Sequence, residues 1–276
     1  CRLRSTFPVG AHLSGGLDSP SIVCVARELM EKEGRRLHTL SAIFPDVPES
    51  DERPLIEQVL AGEGLEPHWV RADQVSPLMD LERTMTLLDG PITNAQQYLD
   101  LLTLEEARRQ GLRTLLTGVG SEPIQYQPFD LLLTELWKAG RHRDILRYVV
   151  RRARKRRRWM PGVLWRQFLK PRVPHALRSA WGALRGWTPG SPNLCRRDFL
   201  RRIGFEERLR VLSRPPANSR EAFVRFLTAP IMPRAYECFD VLAQSHGVDP
   251  RHPFLDVRLA SFCLSLSPTQ RCGEEW

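Results

Sequence analysis

Nowhere in these 276 residues does an apolar run approach the roughly 20 residues of a membrane-spanning helix. The amino terminus carries no signal-peptide pattern, so a cytoplasmic location is the expectation. Cysteine is sparse: the six residues at 1, 24, 195, 238, 263 and 272 form no C-x-x-C pair and no His/Cys group at zinc spacing, which argues against metal ligation by cysteine. Cys24, Cys238 and Cys263 sit among apolar helix residues and read as buried reduced thiols. No Gly-Lys-Ser/Thr occurs, which excludes a Walker loop, and Gly118-Val119-Gly120 lacks the third small residue of a dinucleotide fingerprint. Lysine is confined to Lys32, Lys138, Lys155 and Lys170, and no internal repeat is evident.

What is present is ordinary in bulk. An apolar content of 42% with 26% charged residues is that of a globular protein long enough for one large α/β domain or two small ones. The net charge of +9 is localised: ten Lys/Arg against the single acid Asp144 between Arg141 and Arg158 account for all of it. Such a run reads as a solvated helix face, with an acidic peptide or carrier surface as the functional alternative. Aromatic residues are thin there until Trp159 and Trp165 and no nucleic-acid motif is present, so nucleic acid is not an expected partner.

The informative stretch lies near the start. The apolar run Val9-Gly10-Ala11-His12-Leu13 is followed at once by Ser14-Gly15-Gly16-Leu17-Asp18-Ser19 and a helical pattern to about Glu33. Two glycines free to take positive φ let backbone N–H groups close round an anion, Ser14 and Ser19 add hydroxyl donors, and the helix N-terminus supplies positive potential. Asp18 beside phosphates is repulsive unless a cation intervenes, which implies magnesium. The same turn is also ordinary strand-to-helix punctuation, and the complete string is what favours the pyrophosphate-binding reading.

Up to about residue 120, apolar runs at 9–13, 37–44, 68–70 and 114–117 alternate with helical patterns near 19–33, 52–62, 76–87 and 95–109. That alternation predicts an α/β fold, a parallel sheet with helices on both faces, followed by a helical C-terminal part. Ligands of such sheets lie beyond the carboxyl ends of the strands. Three parts are expected: an α/β core at 1–128, a basic helical region at 129–230 broken by Pro161, Pro171, Pro174, Pro189, Pro192 and Pro215-Pro216, and a helical segment at 231–276. Trp181 and Trp187 read as packing residues.

Further stretches add to the loop: Ile43-Phe44-Pro45 followed by Glu49-Ser50-Asp51-Glu52-Arg53, then Leu88-Asp89-Gly90-Pro91, Leu115-Leu116-Thr117-Gly118-Val119-Gly120, and Gly247-Val248-Asp249-Pro250-Arg251-His252-Pro253-Phe254-Leu255-Asp256-Val257-Arg258-Leu259. In this order and spacing, from about residue 5 to 266, the chain resembles the PP-loop ATP pyrophosphatases, and among them the synthetase domain of asparagine synthetase. The resemblance implies the adenine nucleotide alpha hydrolase-like fold and an ATP-dependent, AMP-forming carbon–nitrogen ligase of glutamine-hydrolysing asparagine synthase type. A substrate carboxylate would be activated as an acyl-adenylate and attacked by ammonia or an amine. It assigns pyrophosphate and Mg2+ to Ser14, Gly15, Gly16, Asp18 and Ser19, the adenine to Leu13, Ile43 and Phe44, and the ribose or acyl-adenylate to Thr117 and Gly118. Asp89 is either catalytic or a turn-initiating acid, and Asp51 and Glu52 either border the site or complement the start of their helix. The stretch from Glu122 to Arg143 and the basic helices after it also look like the relatives that close lasso-peptide macrolactams; a non-catalytic nucleotide-binding descendant is the third alternative.

Departures from the pattern are equally specific. Relatives follow the second glycine turn with Asp-Glu, whose Asp holds magnesium opposite the first loop; here Gly120-Ser121 is followed by Glu122-Pro123, so Glu122 becomes the second candidate metal ligand and Pro123 supplies no carboxylate. The first loop continues Ser19-Pro20, which an early helix position tolerates. Relatives also carry a downstream Lys or Arg at the phosphates, and none of the four lysines occupies a matching position, so the resemblance leaves open whether this polypeptide is active alone. Cys1 runs straight into the first strand with no room for a glutaminase domain, so ammonia production is not assigned to this chain; a separate glutaminase is one candidate partner, and a precursor peptide with a protease, in the lasso branch, is the other.

Overall fold

The computed structural model describes residues 2–92, 94, 96–121, 129–155, 196–212, 216–267 and 270. Two compact units divide the chain, one formed by residues 1–125 and 227–263 and the other by 126–226 and 264–276.

The first unit is built on five parallel strands: β1 (Val9–His12), β2 (Leu37–Ile43), β3 (Leu65–Arg71), β4 (Thr114–Leu116) and β5 (Asp249–Arg251), in the order β3-β2-β1-β4-β5. Between them run α1 (Asp18–Glu31), α2 (Arg53–Leu60), α3 (Leu81–Leu87) and α4 (Gln97–Arg109). Strand order reverses between β1 and β4, and an open parallel sheet has its ligand crevice at such a point, outside the carboxyl ends of the strands.

Parallel sheets bury both faces, and this one has a separate core on each. On one face Ile22, Val23, Ala26 and Met30 of α1 and Ile56 of α2 close over Val9, Ala11, Leu37, Leu65 and Leu116. On the other, Leu101, Leu104 and Ala107 of α4 meet Leu40, Leu115, Leu112 and the residues Cys238, Phe239, Leu242 and Ala243 of a long later helix (Ile231–Ser245). Each fully buried leucine in these layers contributes about 1.5–3 kcal/mol of apolar transfer.

Two strands depart from the sequence expectation, and proline explains both. β3 begins at Leu65, three residues before its expected start, and Pro67 lies within it; β5, whose middle residue is Pro250, lies inside a segment expected to be wholly helical. Both are edge strands, where a missing N–H costs no ladder bond on the open side. Cys24 is also corrected: it is exposed, because the buried stripe of α1 runs through Ser19, Ile22, Val23, Ala26 and Met30 and leaves Cys24, Val25 and Leu29 outside it. Cys238 and Cys263 are buried, as read.

In the second unit, α5 (Phe129–Lys138) and α6 (His142–Lys155) bury Leu132, Leu133, Leu136, Ile145, Tyr148 and Val149 against each other. Arg143, Arg147, Arg151 and Arg154 lie exposed on α6, the solvated face expected for the described part of the basic run. Three shorter helices follow: α7 (Arg197–Arg202), α8 (Phe205–Leu212) and α9 (Ser219–Leu227). Glu135 of α5 accepts both the N–H and the hydroxyl of Ser219 at the start of α9, at 2.6 and 2.7 Å. The long helix α10 (Ile231–Ser245) and α11 (Val257–Ser265) flank β5 in sequence. The expectations for Trp159, Trp165, Trp181 and Trp187 lie outside the described residues. Among those described, no helix is long and apolar enough to cross a membrane.

Candidate functional site

β1 ends at His12, and the chain from Leu13 to Leu17 turns into α1, which begins at Asp18. The loop is tied internally. Ser14 N–H donates to Ser19 Oγ at 2.9 Å, the two serine hydroxyls lie 2.9 Å apart, and Gly16 N–H points to Ser14 Oγ at 3.5 Å. Gly15 N–H donates to Oε2 of Glu52 at 2.8 Å. The N–H groups of Ser14, Gly15 and Gly16 therefore each meet a side-chain oxygen, and one of those oxygens is itself anionic. Glu52 stands where the head of α2 folds back over the loop.

Gly15 serves by lacking a Cβ, whereas a Cβ on Gly16 would meet only Ser14 Oγ at 3.7 Å. Neither Gly15 nor Gly16 has positive φ. A Cβ on Gly15 would fall 2.9 Å from Glu52 Cβ and 3.0 Å from Leu55 Cδ1, so side chains are excluded by the approach of α2. Across the crevice, Gly118 follows β4, and a Cβ there would lie 3.3 Å from Ser19 N and 3.5 Å from Asp18 Cβ. Asp18, Ser19, Thr117 and Gly118 are thus brought together where the strand order reverses.

Thr117 is buried, its N–H bonded to Arg251 O at 3.0 Å and its hydroxyl 2.6 Å from His252 Nδ1. Nε2 of His252 lies 3.7 Å from Asp240 Oδ1, beyond hydrogen-bond reach, and the ring packs edge-on to Phe239. Burial lowers the His252 pKa against the opposing pull of Asp240. His12, at the end of β1, also meets the Phe239 ring edge-on; its Nε2 is buried without a hydrogen-bond partner. Burial, and then His252, push its pKa down to about 4. Both imidazoles are held neutral at ordinary pH. His12 and His252 lie within the quoted motifs but are not among the expected site residues, because a contact between Thr117 and a residue 135 positions on is invisible in spacing.

The remaining expected residues are distributed differently. Leu13 is 2% exposed, its side chain in the core on the α1 face and its N–H bonded to Leu40 O. Ile43 and Phe44 are half-buried at the end of β2. His12 pairs with Leu40, so Ile43 lies three residues, about 10 Å, farther along the sheet than the end of β1. Asp51 is engaged by Arg53 at 2.6 Å; burial works to raise its pKa, but the Arg53 hydrogen bonds prevail and lower it.

Asp89 is exposed and takes a left-handed backbone, φ 48°, immediately after α3. Gly90 N–H reaches back to Met85 O and Asp89 N–H to Thr86 O, the paired bonds of a Schellman cap. These bonds place Asp89 in the turn that ends α3. Glu122 and Pro123 lie outside the described residues. A cavity of about 410 Å³ opens elsewhere, between α3 and α4 near Arg83, Arg108 and His246, and none of the expected residues lines it.

A family model for asparagine synthase matches residues 1–276. The chain belongs to the asparagine synthase family. Membership supports an asparagine-synthase-related ligase, and the five-stranded parallel sheet flanked by helices is consistent with the expected fold class. Among curated proteins, Amidase chry2 of Gibberella zeae is 25% identical over 132 residues, 44% of this chain and 20% of that protein. Amidase chyE of Penicillium rubens matches to the same extent. A Methanocaldococcus jannaschii protein carrying the provisional name of glutamine-hydrolyzing asparagine synthetase 2 is 48% identical over 59 residues, 21% of this chain and 11% of that protein. The matched stretches thus span a fifth or less of the relatives' own lengths.

Proposed function

We propose that the chain is an ATP-dependent, AMP-forming amide ligase. A substrate carboxylate attacks the α-phosphorus of ATP and pyrophosphate leaves; ammonia or an amine then attacks the acyl carbon and AMP departs. The observation that carries this reading is the meeting of the Ser14–Ser19 loop with Gly118 at the strand-order reversal. Ser14, Gly15, Gly16 and Ser19 hold the departing pyrophosphate, and Thr117 and Gly118 border the acyl-adenylate. A hard carboxylate oxygen donor suits Mg2+, and Asp18, at the N-terminus of α1, would hold it. Bound there, the ion would offset the phosphate charge. The amino-acid or peptide carboxylate, and an amine drawn from a glutaminase or a precursor peptide, belong to the same proposal.

A second reading, a nucleotide-binding descendant without catalysis, is favoured by one observation: Gly15 N–H is already given to the Glu52 carboxylate. ATP–pyrophosphate exchange separates the two. Exchange with aspartate supports the synthetase reading, exchange only with a candidate precursor peptide supports macrolactam closure, and ATP binding without exchange for either substrate overturns the ligase. Glu52→Gln removes the competing anion, and about tenfold tighter ATP binding is expected, of the size of one charged hydrogen bond. Unchanged affinity would mean that the phosphates do not use Gly15.

A further inference from the structure

At the opposite end of the sheet, three side chains converge that the ligase reading does not use. His38 is the second residue of β2, and Glu66 and His68 are the second and fourth of β3. The parallel register sets His38 opposite Glu66 and Leu40 opposite His68, and alternation puts all three side chains on the face covered by α4. His38 Nδ1 lies 2.9 Å from His68 Nε2 and 3.9 Å from Glu66 Oε1, and one ligand atom from each residue falls within 4.8 Å of the others. The two rings stack at 10° with centroids 5.2 Å apart. The imidazoles are 16% and 11% exposed and Glu66 46%, so the cluster has a covered floor and an open mouth.

We propose that His38, Glu66 and His68 form a divalent-metal site of the zinc class, with water completing the coordination. Two imidazole nitrogens and a carboxylate oxygen are the donor set of open tetrahedral zinc sites. Nitrogens on one such ion at 2.0–2.1 Å sit roughly 3.3 Å apart, so the pair needs to open by only a few tenths of an ångström. A carboxylate also stands behind His68, a few tenths of an ångström beyond hydrogen-bond reach. His68 Nδ1 faces Glu106 Oε1 at 3.9 Å, and Glu106 is anchored by Arg109 at 2.7 Å and by Gln110 at 2.7 Å. A carboxylate behind a ligating imidazole selects which nitrogen faces the ion. A histidine–histidine hydrogen bond alone leaves Glu66 and Glu106 unexplained on the two flanks.

The test is a cobalt titration of the tag-free, chelator-stripped full chain, followed by visible absorption. One equivalent should bind with the strong bands of four-coordinate cobalt, and one equivalent of zinc should displace it. Glu106→Gln should weaken binding by about 10–100-fold with the bands retained. His68→Asn should weaken it further and abolish the bands. If His68→Asn does not fold, the partly exposed ligand variant Glu66→Gln decides, with at least a tenfold loss expected (about 1.4 kcal/mol). The absence of saturable one-equivalent binding, or binding that neither ligand variant alters, overturns the proposal.

Discussion

At the carboxyl ends of β1 and β4 most of the candidate residues come from one contiguous stretch, Ser14 to Ser19, joined by Thr117 and Gly118. At the amino ends of β2 and β3 they come from histidines 30 positions apart that only strand pairing unites. The first site joins exposed loop residues to the buried Ser19 and Thr117, and the N–H groups of Ser14, Gly15 and Gly16 already meet side-chain oxygens; the second is half-covered, and its two imidazoles are hydrogen-bonded to each other. A single sheet thus carries a site assembled by local chain geometry at one end and a site assembled by register at the other. The two should respond independently to substitution.

The largest break in that comparison is Asp18→Asn, which keeps shape and removes charge. Pyrophosphate exchange should fall by about 100-fold or more, while the cobalt titration is unchanged. Loss of both together would show that the two ends are one system.

His12 sharpens the contrast through pH. Its folded pKa of about 4 lies below the ordinary 6.5, so the unfolded chain takes up the extra proton as pH falls between those values. The stability gained from a neutral His12 is therefore complete above pH 6.5 and lost on the way down to 4, about 3 kcal/mol in all. Burial raises Asp100 to about 7, and that group acts oppositely, favouring the folded chain at low pH. The His12 contribution is therefore read as a difference between wild type and His12→Leu in urea unfolding at pH 7 and pH 4, where the wild type should lose about 3 kcal/mol more than the variant. Metal affinity at the far end, compared at pH 7, should not differ between them.

Gly15→Val presses a branched side chain onto Glu52 and Leu55, and a loss of about 1–3 kcal/mol in unfolding free energy is expected. The smallest effect is Asp89→Gly. Relief of the left-handed backbone should add about 0.5 kcal/mol, and exchange should persist; a collapse of exchange would make Asp89 catalytic after all.

Legibility in the sequence follows the same division. β1, β2 and β4 and their crossover helices stand out because apolar runs alternate with amphipathic stretches, and the Ser14 loop because its residues are neighbours. The start of β3 and all of β5 are hidden by Pro67 and Pro250, which read as breakers until the strands prove to be edges. The part of Glu52 in the loop depends on how α2 folds back, and that of His252 on β5 lying beside β4. Of the histidine cluster, only Glu66-Pro67-His68 gives a local hint, two polar residues at alternate positions of a strand. Its third member comes from the neighbouring strand.

Seven consecutive residue pairs align β2 with β3, and Pro67 removes one N–H from the edge strand. Sliding one strand past the other by a single position would carry Glu66 and His68 through the sheet to the side facing α1 and α2, leaving His38 behind. Three ligands meet in one alignment of these segments and in no adjacent one. An ion bound there would act as an alignment pin, rewarding the correct pairing of a strand that has a neighbour on one side only.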